Sequence, residues 1–103
     1  MKKNITKFDL LTFTKMKKQD GIQAIAEFPN GFGASIIKSD FSHGGKSGLF
    51  EIAVLDNDTG NINSTTDITD DVLGWQDEGD IDRILTAISK LNPDGTLPND
   101  VTI

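Results

Sequence analysis

Cysteine is absent from this chain, so a disulfide framework, thiolate chemistry and a cysteine-ligated zinc site are all excluded. Histidine occurs once, at His43, which rules out metal sites that need two imidazoles and any histidine–cysteine relay. No apolar run approaches the length needed to span a bilayer, so no membrane partner is expected. The N-terminal stretch MKKNITKFDLLTFTKMKK starts basic, as a secretory signal does, but Asp9, Thr12, Thr14 and Lys15 break its apolar residues. Together with the lack of cysteine, this favours a cytoplasmic location, in a reducing compartment.

Charge of one sign is scarce in each half of what remains. Residues 1–20 carry six lysines against Asp9 and Asp20, whereas residues 51–103 carry twelve acids against Arg83 and Lys90, within a net charge of -6. The acidic half would repel nucleic acid and favour a basic protein surface. A more economical explanation is that the acids keep a small domain soluble. At 103 residues the chain is long enough for one domain with a modest core, burying roughly 65% of its unfolded surface without a metal or a disulfide. Residues 1–92 are expected to form that domain and residues 93–103 a loose tail.

The apolar pattern predicts an α+β fold, an antiparallel meander of four to five strands with one C-terminal amphipathic helix on one face. GIQAIAEF (21–28) alternates, with Ile22, Ala24, Ala26 and Phe28 on one side. Pro29-Asn30-Gly31 supplies a hairpin turn, and FGASIIKS (32–39) returns with Phe32, Ala34 and Ile36 in step. GLFEIAVL (48–55) reads as a central strand with Phe50, Ile52 and Val54 on one face, and NINST as a short return strand at the edge. ITKFDLLTFT (5–14) is assigned a strand, although Ile5, Phe8 and Leu11 also recur at helical spacing. ITDDVLGW fits one helical turn capped by Thr69 and ended by a left-handed Gly74. Ile81, Ile84, Leu85, Ile88 and Leu91 mark the helix, with Asp77, Glu78 and Asp80 at its positive end and Asn92-Pro93-Asp94-Gly95 as its stop.

Three stretches carry possible chemistry. In SHGGKSG (42–48), Gly45-Lys46-Ser47 is the tail of a phosphate-binding P-loop, but the required first glycine is Asp40 and a strand-like run follows where a helix should begin. A flexible hairpin loop explains the same residues. His43, Gly44, Gly45, Lys46 and Ser47 nevertheless form the candidate site for a small ligand or nucleotide. DNDTGNINSTTD (56–67) resembles a calcium loop, but Gly60 falls one residue early, so no metal site is assigned. A serine triad through His43 with Ser42 or Ser47 lacks a rigid elbow, and no enzymatic activity or cofactor is expected. The acids Asp70, Asp71, Asp77, Glu78 and Asp80, with Trp75 among them, form the candidate partner-binding set. Their structural alternative is helix-start charge, and a lone tryptophan in that position is first of all a core or lid residue. An exposed Trp75 would be the first binding anchor to test.

The order FPNGFGASI, a glycine-rich loop, GLFEIAVL, ITDDVLGW and an acidic helix start resembles a family of small uncharacterised proteins encoded by tailed bacteriophages and prophages. The positions that carry the resemblance are Phe28, Asn30, Gly31, Phe32, Gly33, Ser35, Gly48, Phe50, Glu51, Ala53, Val54, Leu55, Ile68, Thr69, Asp71, Val72, Gly74 and Trp75, within residues 28–91. Phe32, Phe50 and Trp75 stand where the family pattern has tyrosine, so no mechanism through phenol hydroxyls transfers. The resemblance implies an accessory protein that acts in the bacterial host cytoplasm by binding a host protein with a basic surface. It could thereby inhibit a defence system of the CRISPR or restriction kind. A minor virion component is the remaining alternative.

Overall fold

A computed structural model describes residues 4–17 and 20–102. Lys2, Lys3 and Lys18 of the basic N-terminal stretch lie outside the described residues. Five strands, β1 (Thr14–Lys15), β2 (Gly21–Glu27), β3 (Phe32–Ser39), β4 (Phe50–Asp56) and β5 (Leu73–Gln76), form one antiparallel sheet in meander order, and one helix, α1 (Glu78–Ser89), packs on it. The fold is the α+β architecture that the apolar pattern predicts.

The register explains why alternation in three separate strands produces one core. Ala26 pairs with Ala34 and Ala34 with Val54, while Ala24 pairs with Ile36 and Ile36 with Ile52. Paired residues share a face, so these rows lie side by side beneath the helix. Ile81, Ile84, Leu85 and Ile88 close over them and are all buried. The small alanines of β2 and β3 leave room for the isoleucines and leucines of α1 and for Phe28, which is fully buried.

Asn30 joins the hairpin to the helix. Its amide nitrogen donates to the carbonyls of Ile88 (2.8 Å) and Leu91 (3.2 Å), and its oxygen accepts from the Phe32 N–H (3.1 Å). The Ile88 carbonyl belongs to the last turn of the helix and the Leu91 carbonyl lies just beyond it, so a turn residue caps the helix end from a distance. The left-handed conformation in this turn belongs to Gly31 (φ 94°). Asn30→Ala is expected to lower stability by about 1–2 kcal/mol, because three hydrogen bonds are lost and the Leu91 carbonyl is left without its donor, while the Ile88 carbonyl keeps the Leu91 N–H. Urea denaturation checks this, and Asn30→Asp, which keeps the acceptor and removes the donor, should lose at least as much.

Four expectations are corrected. The segment 5–14 is not a strand: Phe8–Leu10 is a 3-10 turn, and only Thr14–Lys15 pairs with β2. Its helical spacing has a use, since Ile5, Phe8, Leu11 and Phe13 pack on the core and the rings of Phe8, Phe13 and Phe50 lie 5.1–5.5 Å apart. The Phe8 N–H donates to Asp82 on α1 at 2.6 Å, which ties the segment to the helix. NINST contributes a single bridge, Ile62 to Leu55, in place of a return strand. ITDDVLGW forms no helical turn; the Thr69 hydroxyl oxygen accepts the Asp71 N–H (3.1 Å) in a local turn, and Leu73–Gln76 becomes the edge strand β5. Residues 93–102 are not loose: Leu97 and Val101 pack on the core, the Asp67 N–H donates to the Gly95 carbonyl, and the Leu97 N–H donates to the Asp67 carboxylate (both 2.8 Å).

Candidate binding site

The loop between β3 and β4 is folded back on itself by serine side chains. The Ser39 hydroxyl oxygen accepts from the N–H groups of Phe41 and Ser42, the Ser39 N–H donates to the Ser42 hydroxyl oxygen (2.9 Å), and the Ser42 hydroxyl donates to the Ser39 carbonyl (3.0 Å). Gly44 (φ 89°) then reverses the chain into a 3-10 turn, Gly45–Ser47, and Gly48 (φ 78°) releases it toward β4. The loop therefore leaves one strand and enters another, with no helix to receive a phosphate. The N–H groups of Phe41, Ser42, His43, Gly45, Ser47, Gly48 and Leu49 all donate within the protein. A P-loop leaves such groups free to face the ligand.

The loop rests against β5. The His43 carbonyl accepts the Trp75 N–H at 3.1 Å. A Cβ on Gly44 would lie 2.9 Å from the Trp75 Cα, and a Cβ on Gly74 would lie 2.3 Å from the His43 Cβ. Glycine at both positions is thus required by close approach of two backbones. Gly74 does not end a helix in the left-handed conformation; the residue that adopts it is its neighbour.

Among the described residues Trp75 is the one non-glycine residue with positive φ, at 59°. That conformation costs an L-residue about 1–2 kcal/mol. It arises at a bulge: Phe50 pairs with Gln76 and Ile52 with Leu73, so β5 holds one more residue than the matching stretch of β4. The bulge turns the indole outward, and Trp75 is 61% exposed. The expectation of a core or lid residue is overturned because register, not hydrophobicity, sets the direction of this side chain. Phe41, two residues before His43 on the same loop, is 80% exposed.

Trp75 walls a shallow cleft of about 270 Å³ with Asp40, Ser42, His43, Gly44, Lys46 and Ser47. The two candidate sets, one on the glycine loop and one on the acidic connector, therefore meet at Trp75. The His43 N–H donates to Glu51 (3.1 Å), whose carboxylate also lies 3.8 Å from the imidazole Nε2. The Ser42 hydroxyl donates to a main-chain carbonyl and not to His43, an arrangement unlike that of an activated nucleophile.

The acids divide. Asp77 caps α1, accepting the Asp80 N–H at 2.8 Å, and Asp80 accepts the Asp77 N–H at 3.0 Å, a reciprocal capping box. Asp80 also pairs with Arg83. The Asp77 N–H first and the Arg83 guanidinium second hold the Asp80 carboxyl below its ordinary range. Asp70, Asp71 and Glu78 are exposed, and their carboxylates accept no hydrogen bond from the described residues. Asp77 and Asp80 are thus engaged in the helix start, while the other three remain available to a partner. Asp40 and Phe41 escaped the sequence reading. Their only signal was position, in a four-residue turn that begins and ends with serine. No group of three or more acidic, histidine or cysteine side chains among the described residues is arranged to hold a metal ion. Compared with protein-family models, curated proteins and solved structures, the chain matches none.

Proposed function

We propose that this chain is a non-enzymatic protein-binding module whose contact surface centres on Trp75, rimmed by Asp70, Asp71 and Glu78, and that its partner presents a basic surface. The observation that carries the reading is the exposed indole held in a left-handed backbone conformation. An exposed tryptophan could sit anywhere on a surface at no conformational cost; here the fold accepts a strained residue where glycine would be relaxed. Tryptophan is the side chain most enriched at the energetic centres of interfaces. The flanking carboxylates add a field that speeds encounter with a basic partner. The resemblance to phage proteins directs the search to host proteins, with nucleic-acid-handling defence systems as first candidates and the cytoplasm as the compartment. Among the described residues no helix is long and apolar enough to cross a membrane.

The test is capture from bacterial lysate at low and high salt by three immobilised forms: the parent chain, Trp75→Gly, and the triple variant Asp70→Lys, Asp71→Lys, Glu78→Lys. A stoichiometric protein held by the parent is expected to be lost with Trp75→Gly, a change of at least about 2 kcal/mol for an interface centre. The triple variant should bind more slowly and lose its salt dependence. Trp75→Gly should be no less stable than the parent, because glycine adopts positive φ without strain. Equal capture by all three forms would overturn the proposal.

A further inference from the structure

Resting on that reading of Trp75, we infer that the cleft beside it receives an arginine side chain of the partner, stacked on the indole and paired with the Asp40 carboxylate. The cleft sets a carboxylate beside the indole. Of the six loop residues that line it, Ser42, His43 and Ser47 donate their main-chain N–H groups within the protein, as the Ser42 hydroxyl also does, whereas those of Asp40, Gly44 and Lys46 do not. The 3-10 turn at its base is too short to attract an anion through a helix dipole. Acceptors are in supply: the Asp40 carboxylate is exposed and makes no hydrogen bond or ion pair with any described residue, and it lines the same cavity as Trp75.

An occupant that pairs with the Asp40 carboxylate and stacks on the indole brings donors, positive charge and a flat face. Guanidinium satisfies all three, with five N–H donors in one plane and weak hydration, whereas a lysine ammonium offers the charge without the plane. The size agrees, since a cleft of about 270 Å³ admits a side chain and not a helix. Lys46 stands on the rim and is exposed, so its flexible stem can carry the ammonium into solvent. A purine nucleotide would also stack on Trp75, but its phosphates would meet the exposed Asp40 carboxylate.

Trp75 is the chain's only tryptophan, so its emission reports occupancy directly. The probe is a capped pentapeptide with one arginine among glycines, titrated in parallel with peptides carrying lysine or the neutral isostere citrulline, and with adenosine monophosphate. Saturable change with the arginine peptide is expected, with binding about fivefold weaker for lysine and weaker still for citrulline. Asp40→Asn should weaken the arginine peptide by about tenfold and leave the citrulline peptide unaffected. Equal response to arginine and citrulline, no response to any peptide, or tighter binding of the nucleotide would each overturn the inference. Because Asp40 lies outside the acidic rim, failure here with capture still dependent on Trp75 and the rim acids would remove the arginine pocket alone and leave the protein-binding reading standing.

Discussion

Phe28→Ala is expected to lower the unfolding free energy by about 3–5 kcal/mol, a large share of the roughly 5–15 kcal/mol available to a domain of this size. Phe28 is fully buried at the end of β2, in the same cluster as Ile84, Leu85, Ile88 and Leu91 of the helical side. Its main chain is held independently: its N–H donates to the Phe32 carbonyl (2.8 Å), and its carbonyl accepts from the Asn57 amide (2.9 Å). The backbone therefore cannot collapse into the space vacated by the ring, and a cavity remains. Ile25→Ala, on the opposite face of the same strand and more than half exposed, is the control and should cost less than about 1 kcal/mol. Urea denaturation of both variants gives the comparison. A larger loss for Ile25→Ala would mean that the helix packs on the other face of the sheet.

Gly45→Ala is expected to cost about 3 kcal/mol or to displace the whole glycine loop. A Cβ there would stand 1.7 Å from the Ser39 carbonyl oxygen and 2.6 Å from the Ser42 hydroxyl oxygen. The first of these is main chain and cannot turn away, and it already accepts the Ser42 hydroxyl. Gly48→Ala isolates the other cost of adding a methyl group. Nothing lies within 4 Å of its Cβ position, but its φ is +78°, so the expected loss is only about 1 kcal/mol. The pair separates close approach from backbone conformation within one loop. Displacement would also shift Trp75 emission in Gly45→Ala, because the His43 carbonyl that accepts the Trp75 N–H lies two residues upstream. A Gly45→Ala protein as stable as Gly48→Ala, with parental emission, would show that the loop is not packed as described.

The elements whose faces alternate cleanly were legible. β2, β3 and β4 each place an apolar residue on the core face at every second position, and α1 places its own at helical spacing, because one face of each element meets the helix–sheet core; Ala53 and Leu55 on the other face of β4 are buried as well. Segments whose form depends on distant partners were not. Residues 5–14 carry both spacings, and what decides between them is the aromatic cluster with Phe50 and the bond to Asp82, 74 positions along the chain from Phe8. Residues 68–75 hold a helix-cap signal at Thr69, yet β4 offers a free edge, and pairing with it outweighs one local turn.

The same division runs through the candidate site. Composition and spacing by themselves determined that this chain has an α+β fold without thiol chemistry, acidic in its second half, with a helix whose start is marked by acids. Each of these follows from residue identity or from the period of a single element. Only the tertiary structure decided that Trp75 faces solvent, that Gly44 and Gly74 are glycines for the sake of two touching backbones, and that Asp40 shares a cleft with Trp75. Those facts come from the bulge that shifts β5 against β4 and from a loop lying across another strand, and no local pattern encodes contacts between segments thirty residues apart.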